Sequence, residues 1–280
     1  MQIKHLSTIH GGQDGAIWGD YLFRFRSSGL GAVYKLPEFV EIASFTLDRA
    51  NRIAPHSNAV VFGTEYYDPA DEFPLLYSNI YNNYAKAEDA LTGMCCVYRL
   101  QRSENTFTST LVQLIQIGFT EDTTLWRSSD GAKDVRPYGN FVIDREKNEY
   151  WAMSMQDTDN VSRYFAFDLP KLTDGVVDET FGVQKVTLHP GDIKKQFDCP
   201  YHHYFQGACF HDGKIYSLEG FGLGAKNVAA IRIIDTVAEK QILHEEFFDY
   251  GLTVEPELID FCGDICYYSD SHGNLFILEF

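Results

Sequence analysis

Long apolar runs are missing from this 280-residue chain. No stretch approaches the roughly 18–20 consecutive apolar residues that a membrane helix needs. Positive charge is also scarce: 23 Lys and Arg stand against 40 Asp and Glu, a formal net charge of −17. A nucleic-acid backbone or an anionic membrane is bound by clustered basic residues, so neither is expected as a partner. The balance is compatible with cations, neutral sugars, peptides or basic proteins, and acidity also keeps a protein soluble. The N-terminus, Met1-Gln2-Ile3-Lys4-His5-Leu6, has no basic region followed by an apolar stretch, so no secretory leader is expected. Cysteine is limited to Cys95, Cys96, Cys199, Cys209, Cys262 and Cys266. None forms a CxxC pair, and adjacent Cys95 and Cys96 are poorly placed to bond to each other. Cys209 and Cys262 fall in apolar segments, where Cys acts as a small core residue. The expectation is a reduced, cytoplasmic protein, with a secreted one whose leader was removed as the alternative.

Apolar and aromatic side chains are plentiful, at 45% and 15% of residues. That supports a continuous core, excludes a disordered chain, and favours strands because most of the aromatics are Tyr and Phe. The apolar segments recur, each opened by a polar residue: Asp14-Gly15-Ala16-Ile17-Trp18, Asn58-Ala59-Val60-Val61-Phe62, Asn140-Phe141-Val142-Ile143, Gln206-Gly207-Ala208-Cys209-Phe210 and Glu257-Leu258-Ile259-Asp260-Phe261. Two copies share a longer frame, Pro55-His56-Ser57-Asn58 and Pro137-Tyr138-Gly139-Asn140. An imperfect repeat of roughly 50 residues, with several strands in each unit, is the pattern of a β-propeller. The predicted fold is therefore all-β: a five-bladed β-propeller forming a single domain over residues 1–280.

Blades are predicted near 10–48, 56–118, 136–190 and 202–250, with the last built from 255–280 plus 2–9. Blade two is stretched by two insertions, Tyr66 to Glu72 and Tyr81 to Thr92. The second insertion is Ala-rich between Tyr84 and Leu91, enough for a short helical turn. A sixth blade in this region is the alternative count. The second strand of blade two is expected around Phe73 to Tyr77, and blade three is expected to end in an outer strand, Val183 to Leu188. Asp212-Gly213 is a two-residue hairpin signal in blade four. After Glu257 the chain has room for only three strands, and an open ring would leave bare sheet edges. The N-terminal segment Gln2 to Ile9 is expected to supply the missing outer strand.

Inner strands run along a propeller's channel, so their first residues converge on one mouth. Here these are Asp14, Asn58, Asn140, Gln206 and Glu257. Positions two residues earlier share the same side of an extended chain and add Gly12, His56, Tyr138, Tyr204 and Glu255. His10, His202 and His203 lie on loops leading in. The predicted ligand-binding set is Asp14, His56, Asn58, Tyr138, Asn140, Gln206, Glu255 and Glu257. An architectural reading stands beside it, since Asn and Asp cap turns and every channel mouth must satisfy its polar atoms. Ring closure makes neighbours of Asp14, Glu255 and Glu257, and like charges raise a pKa or recruit a cation. Carboxylate and amide oxygens suit a divalent cation such as calcium, although no EF-hand loop is present. No other cofactor is indicated. Adjacent His202 and His203 face opposite ways in a strand, which disfavours a two-His metal site. The same three acids are the catalytic candidates, because glycoside hydrolysis uses a pair of carboxyl groups. No GxSxG nucleophile motif occurs, and Gly220-Phe221-Gly222-Leu223-Gly224 opens no helix, so it is not a nucleotide fingerprint.

The stretch Asp14-Gly15-Ala16-Ile17 resembles the opening strand of five-bladed glycosidases, in which an Asp begins blade one. Those families carry further acids where this chain has Asn58 and Asn140, and an amide cannot act as a general acid or base. The Gln13-Asp14-Gly15-Ala16 opening with Tyr21-Leu22-Phe23, the stretch from Glu65-Tyr66-Tyr67 to Phe73-Pro74-Leu75-Leu76-Tyr77, and Val97-Tyr98-Arg99-Leu100 resemble uncharacterised bacterial propeller-like proteins. That resemblance covers blades one and two best; it implies the fold and transfers no catalytic residues. Three functional readings stay open. The first is a non-catalytic binding module for a small polar ligand, a carbohydrate or a cation, at the channel mouth. The second is a carbohydrate-active enzyme using Asp14 with Glu257 or Glu255. The third is a scaffold that engages a protein partner through its outer loops.

Overall fold

The structure is a computed structural model that describes residues 1–53, 55–80, 94–117, 135–156, 160–202, 204–222 and 228–280. It opens with β1 (Gln2–Thr8), which belongs to the last blade rather than the first. Blade one is β2 (Gly15–Trp18), β3 (Tyr21–Phe25), β4 (Leu30–Lys35) and β5 (Val40–Thr46), paired in that order. Blade two is β6 (His56–Phe62), β7 (Leu76–Ile80), β8 (Met94–Ser103) and β9 (Thr106–Ile117). Blade three follows with β10 (Val135–Asp144), β11 (Glu149–Gln156) and β12 (Val161–Asp168). Next come β13 (Val176–Val177), β14 (Gln184–Leu188) and β15 (Lys195–Pro200). Blade four is β16 (Phe205–His211), β17 (Lys214–Glu219), β18 (Ala230–Asp235) and β19 (Lys240–Glu246). Blade five is β20 (Pro256–Cys262), β21 (Ile265–Asp270) and β22 (Asn274–Glu279), completed by β1. The architecture is the predicted five-bladed propeller.

Ring closure also falls where the missing strand required it. β1 runs antiparallel to β22, from Gln2 opposite Glu279 to Thr8 opposite Asn274. β22 is then an interior strand of its sheet rather than a bare edge. The hairpin signal in blade four is an actual two-residue turn: Asp212 and Gly213 have φ of 46° and 71°, the positive pair that a tight hairpin between twisted strands demands.

The core is divided among the gaps between blades. Phe23, Phe25 and Phe45 of blade one meet Phe62, Phe73 and Phe107 of blade two. Val61 and Tyr77 meet Phe141, Phe165 and Phe167 across the next gap. Trp151, Tyr164 and Phe197 face Phe205, Ile215 and Ile234. Ile231, Ile233 and Phe247 face Ile259, Tyr268 and Phe276. Leu258 and Tyr267 close the ring against Leu22 and Tyr34. Each sheet therefore buries both faces, which is why its strands read as apolar runs rather than as an in-out alternation.

Two strand expectations change. The segment expected as the outer strand of blade three, Val183 to Leu188, instead contributes β14, which runs parallel to β9 and extends blade two. β15 takes its place, pairing antiparallel with β12 from Val161 opposite Pro200 to Ala166 opposite Lys195. The physical reason is the edge of β9. This long outer strand would present unpaired backbone, and the connection between β12 and β15 covers it. In blade two the second strand is Leu76–Ile80, a few residues later than expected. Phe73 and Leu75 are buried ahead of it as loop-borne core residues. The insertion at Tyr81 to Thr92, with its Ala-rich stretch, lies outside the described residues; among the described residues there are five sheets and no sixth blade.

Candidate functional site

The inner strand of every blade is irregular at the residue that opens it. Register with the second strand shifts between His56 and Val60, between Arg136 and Asn140, between Phe205 and Ala208, and between Pro256 and Leu258. Blade one does the same just ahead of β2: Gln13 N–H donates to Phe25 O at 2.7 Å, while Phe25 N–H donates to Asp14 O at 3.1 Å. These are β-bulges, which bend a strand, re-aim a side chain and free backbone groups from the ladder. The recurring polar residues sit in or beside them, so the sequence repeat and the bulge repeat are one feature.

The polar side chains satisfy the freed groups across the channel. Val60 N–H donates to Asp14 Oδ2 at 2.9 Å, and Ala59 N–H to Asn79 Oδ1 at 2.7 Å. Asn58 Nδ2 donates to Phe205 O at 2.6 Å, and Asn140 Nδ2 donates to Gln206 O. Gln206 Nε2 donates to Glu255 Oε1 at 2.7 Å, and Gln13 Nε2 to Glu257 Oε1 at 3.2 Å. Blades one and two, two and four, three and four, four and five, and one and five are thus tied together at this near mouth. Asp14, Asn58, Asn140, Gln206 and Glu257 are all buried there. After these bonds, four oxygen atoms still lack a donor: Gln13 Oε1, Asp14 Oδ1, Asn58 Oδ1 and Glu257 Oε2. Buried acceptors without partners are rare in folded proteins and call for an explanation.

Electrostatics sharpen the picture. Burial pushes the Asp14 carboxyl well above the ordinary carboxylate range, against the pull of backbone donors at Val60 and Gly15 and of the Arg24 guanidinium. Glu257 is pushed well up by burial and then by the charge of Glu255. Glu255, half-buried, is raised by burial and lowered by its bond from Gln206. The sequence points to mutual repulsion as the source of such shifts; in the structure dehydration is the larger cause. A carboxyl raised in this way keeps its proton to higher pH in the folded chain than in the unfolded one. Its contribution to stability is full below the ordinary carboxyl range and is lost as pH rises toward the folded value. Stability is accordingly expected to fall as pH rises above the ordinary carboxyl range, by up to about 1.4 kcal/mol per pH unit for each such group, and the melting temperature with it. Asp14→Asn keeps an acceptor for Val60 N–H and should flatten that slope. Identical slopes in the wild type, Asp14→Asn and Glu257→Gln would mean that these carboxyls titrate normally.

Of the other expected residues, His56 is half-buried on a backbone of φ 58°, and burial lowers its pKa. Tyr204 is half-buried and its ring centroid stands 5.0 Å from that of Phe221. The side chain of Tyr138 and the whole of His203 lie outside the described residues. His202 does not reach the mouth as a free ligand. It is buried, stacks on Phe205 at 4.6 Å and is pushed down to about 3, chiefly by burial. His10 is exposed and pairs with Glu41 at 2.9 Å. Among the described residues no group of three or more His, Cys, Asp or Glu stands at metal-holding geometry. All six cysteines are free.

Three contributors escaped the sequence reading. Gln13 and Asn79 join the ring as described. Arg24 is buried beside it, donating from Nη2 to Gly12 O at 2.9 Å and to Asp270 O at 3.0 Å, with Nε and Nη1 unpartnered. Its signal was available, as one cation inside the otherwise apolar and aromatic strand Tyr21-Leu22-Phe23-Arg24-Phe25. Asn79 likewise interrupts Leu76–Ile80.

No family model matches the chain, and no curated protein matches it in sequence. Among solved structures it is similar to Myxococcus xanthus glutaminyl cyclase, at 7% identity and a TM-score of 0.47, over 100% of this chain and 96% of that one. It is also similar to the computationally designed Ika8 protein, at 9% identity and a TM-score of 0.38, over 99% of this chain and 100% of that one. Neither likeness lends this chain a residue role. Among the described residues no helix is long and apolar enough to cross a membrane.

Proposed function

We propose that the near mouth of the channel is a binding site for a small polar ligand rich in hydrogen-bond donors, a hydroxylated or amine-bearing molecule, and that the protein acts by binding rather than by catalysis. The observation that carries this reading is the set of four buried oxygens without donors, Gln13 Oε1, Asp14 Oδ1, Asn58 Oδ1 and Glu257 Oε2. They come from three blades: the Gln13 and Asn58 amide oxygens accept, while the raised Asp14 and Glu257 carboxyls donate when protonated and accept once ionised, so the complement they ask for is a group that both donates and accepts, as a hydroxyl does. The Gln206–Glu255 bond stands beside them and gives a ligand two further groups to exchange with. The enzyme reading receives less support. A carboxyl pair working as acid and base needs environments that drive the two pKa values apart, and Asp14 and Glu257 are driven in the same direction.

A thermal-shift screen of sugars, amino sugars, short peptides and divalent cations is the first test, since a ligand at about 100 times its Kd adds about 2.7 kcal/mol. Asn58→Ala and Gln206→Ala should then weaken the same ligand by about 1–3 kcal/mol each. If affinity is unchanged in Asn58→Ala, Gln206→Ala and Glu255→Gln, the ring is architectural and the binding reading is wrong. Turnover that disappears in Glu257→Gln while binding survives would point to the enzyme instead.

A further inference from the structure

The opposite mouth of the channel is chemically unlike the near one. Four residues after each strand-opening polar residue the chain carries Trp18, Phe62, Asp144, Phe210 and Phe261. Four blades thus place an aromatic ring at the far end, while blade three turns there through Asp144 and Arg145. A cavity of about 530 Å³ opens at this end, lined by Trp18, Arg145, His211 and Phe261 among others. All four are half-buried. The His211 and Phe261 rings are parallel, 3° apart in plane with centroids at 3.9 Å, and form one stacked wall. The Arg145 guanidinium lies over the Trp18 ring at 5.6 Å.

Arg145 has acids close by but no ion pair or hydrogen bond with either. The Asp144 carboxylate takes the backbone N–H groups of Glu146 and Lys147, at 3.0 and 3.1 Å, and pairs with Lys147 at 3.4 Å. The Asp260 carboxylate accepts from Ile17 N–H at 2.7 Å and Phe261 N–H at 2.8 Å. Asp260 offsets part of the field of Arg145 and leaves its donors unused. Acids outnumber bases by 40 to 23, and among the described residues Arg145 is a half-buried cation without an ion pair. Exposed aromatic faces with one convergent polar group, in a cavity of this size, are the usual composition of a small-ligand pocket. Aromatic walls favour a flat π-system, and a free guanidinium favours a carboxylate, which matches its fork.

We infer that the far mouth binds a planar aromatic carboxylate, stacked between Trp18 and the His211–Phe261 wall with its carboxylate on Arg145. The site is separate from the near mouth and does not rest on the function proposed there. Isothermal titration with naphthoate tests it, with naphthamide as the neutral planar analogue and cyclohexanecarboxylate as the non-aromatic anion. Naphthoate should bind at least about tenfold more tightly than either analogue. Arg145→Gln should abolish the preference for naphthoate over naphthamide while the chain still unfolds in one cooperative transition. Trp18→Leu should weaken naphthoate and naphthamide together, and Asn58→Ala should affect neither. Absence of saturable naphthoate binding at about 10 mM, equal binding of the two aromatic probes, or an unchanged naphthoate affinity in Arg145→Gln would each overturn the inference.

Discussion

A chain lacking residues 1–9 is expected to lose its cooperative unfolding transition, or to melt at least about 10 °C lower than the full chain. Those residues hold β1, whose whole length pairs with β22, and Ile9 N–H donates to Gly273 O at 2.9 Å immediately after it. Met1 and Ile3 pack against the core between blades four and five, and Leu6 and Ile9 join the core between blades five and one. Burying an aliphatic side chain contributes about 1.5–3 kcal/mol when complete, so the partly buried set amounts to roughly 5 kcal/mol. That is comparable to the whole net stability of an ordinary domain, about 5–15 kcal/mol. The deletion also strips β22 of its partner, leaving an open edge that invites association. Thermal and urea unfolding of the truncated chain, with light scattering for self-association, are the measurements. A peptide of residues 1–10 supplied separately should restore part of the loss by adding as a strand. A truncated monomer that melts with the full chain would show that closure contributes nothing to the ring.

Fold and closure were legible because one physical task recurs. Each inner strand starts at a mouth that must be polar and continues between two blades that must be apolar, so Asp14, Asn58, Asn140, Gln206 and Glu257 each stand at the same kind of step. The missing fourth strand of blade five then had few candidates. The outermost strands were harder to read, because what they face is decided by a neighbouring blade. Val183 to Leu188 has the β-branched look of a sheet strand and does pair, but with β9 of blade two. Lys195-Gln196-Phe197-Asp198-Cys199-Pro200 is a weaker run, in which only the alternating burial of Phe197 and Cys199 marks one apolar face. The convergence of the ring could also be read from spacing, yet its bonding could not. Which acceptor lies opposite Asn58 or Gln206 depends on the bulges, and a bulge is a register event between strands that leaves no fixed residue in the sequence. The same holds for the charge on Asp14. Its burial follows from how closely blades four and five pass, and no spacing rule carries that distance.

That close passage makes Gly207→Ala the most disruptive single substitution expected at the near mouth. Gly207 follows Gln206 in β16, where it abuts β20 of blade five. A Cβ added there would collide with the Glu257 carbonyl oxygen and stand 2.8 Å from Asp14 Oδ1. The obstacle is strand backbone at the β20 bulge, flanked by Pro256 and Leu258 on their partners Asp270 and Ser269 in β21, so no side chain can swing aside to make room. Overpacking of a core by one methyl costs about 1–3 kcal/mol when neighbours adjust, and a fixed backbone places this site at the top of that range or beyond it. Gly191 provides the control, because a Cβ there meets nothing within 4 Å and its backbone needs no left-handed conformation. Gly191→Ala should be neutral while Gly207→Ala melts several degrees lower. The substitution also bears on the acids. Prising β16 from β20 admits water to Asp14 and Glu257, which removes the dehydration that raises them. Gly207→Ala should therefore lose stability and at the same time show a shallower decline of melting temperature than the wild type as pH rises above the ordinary carboxyl range. Wild-type stability in Gly207→Ala would mean that blades four and five are farther apart at the mouth than this packing requires. A large loss of stability with an unchanged pH slope would mean that burial is not what raises these two carboxyls.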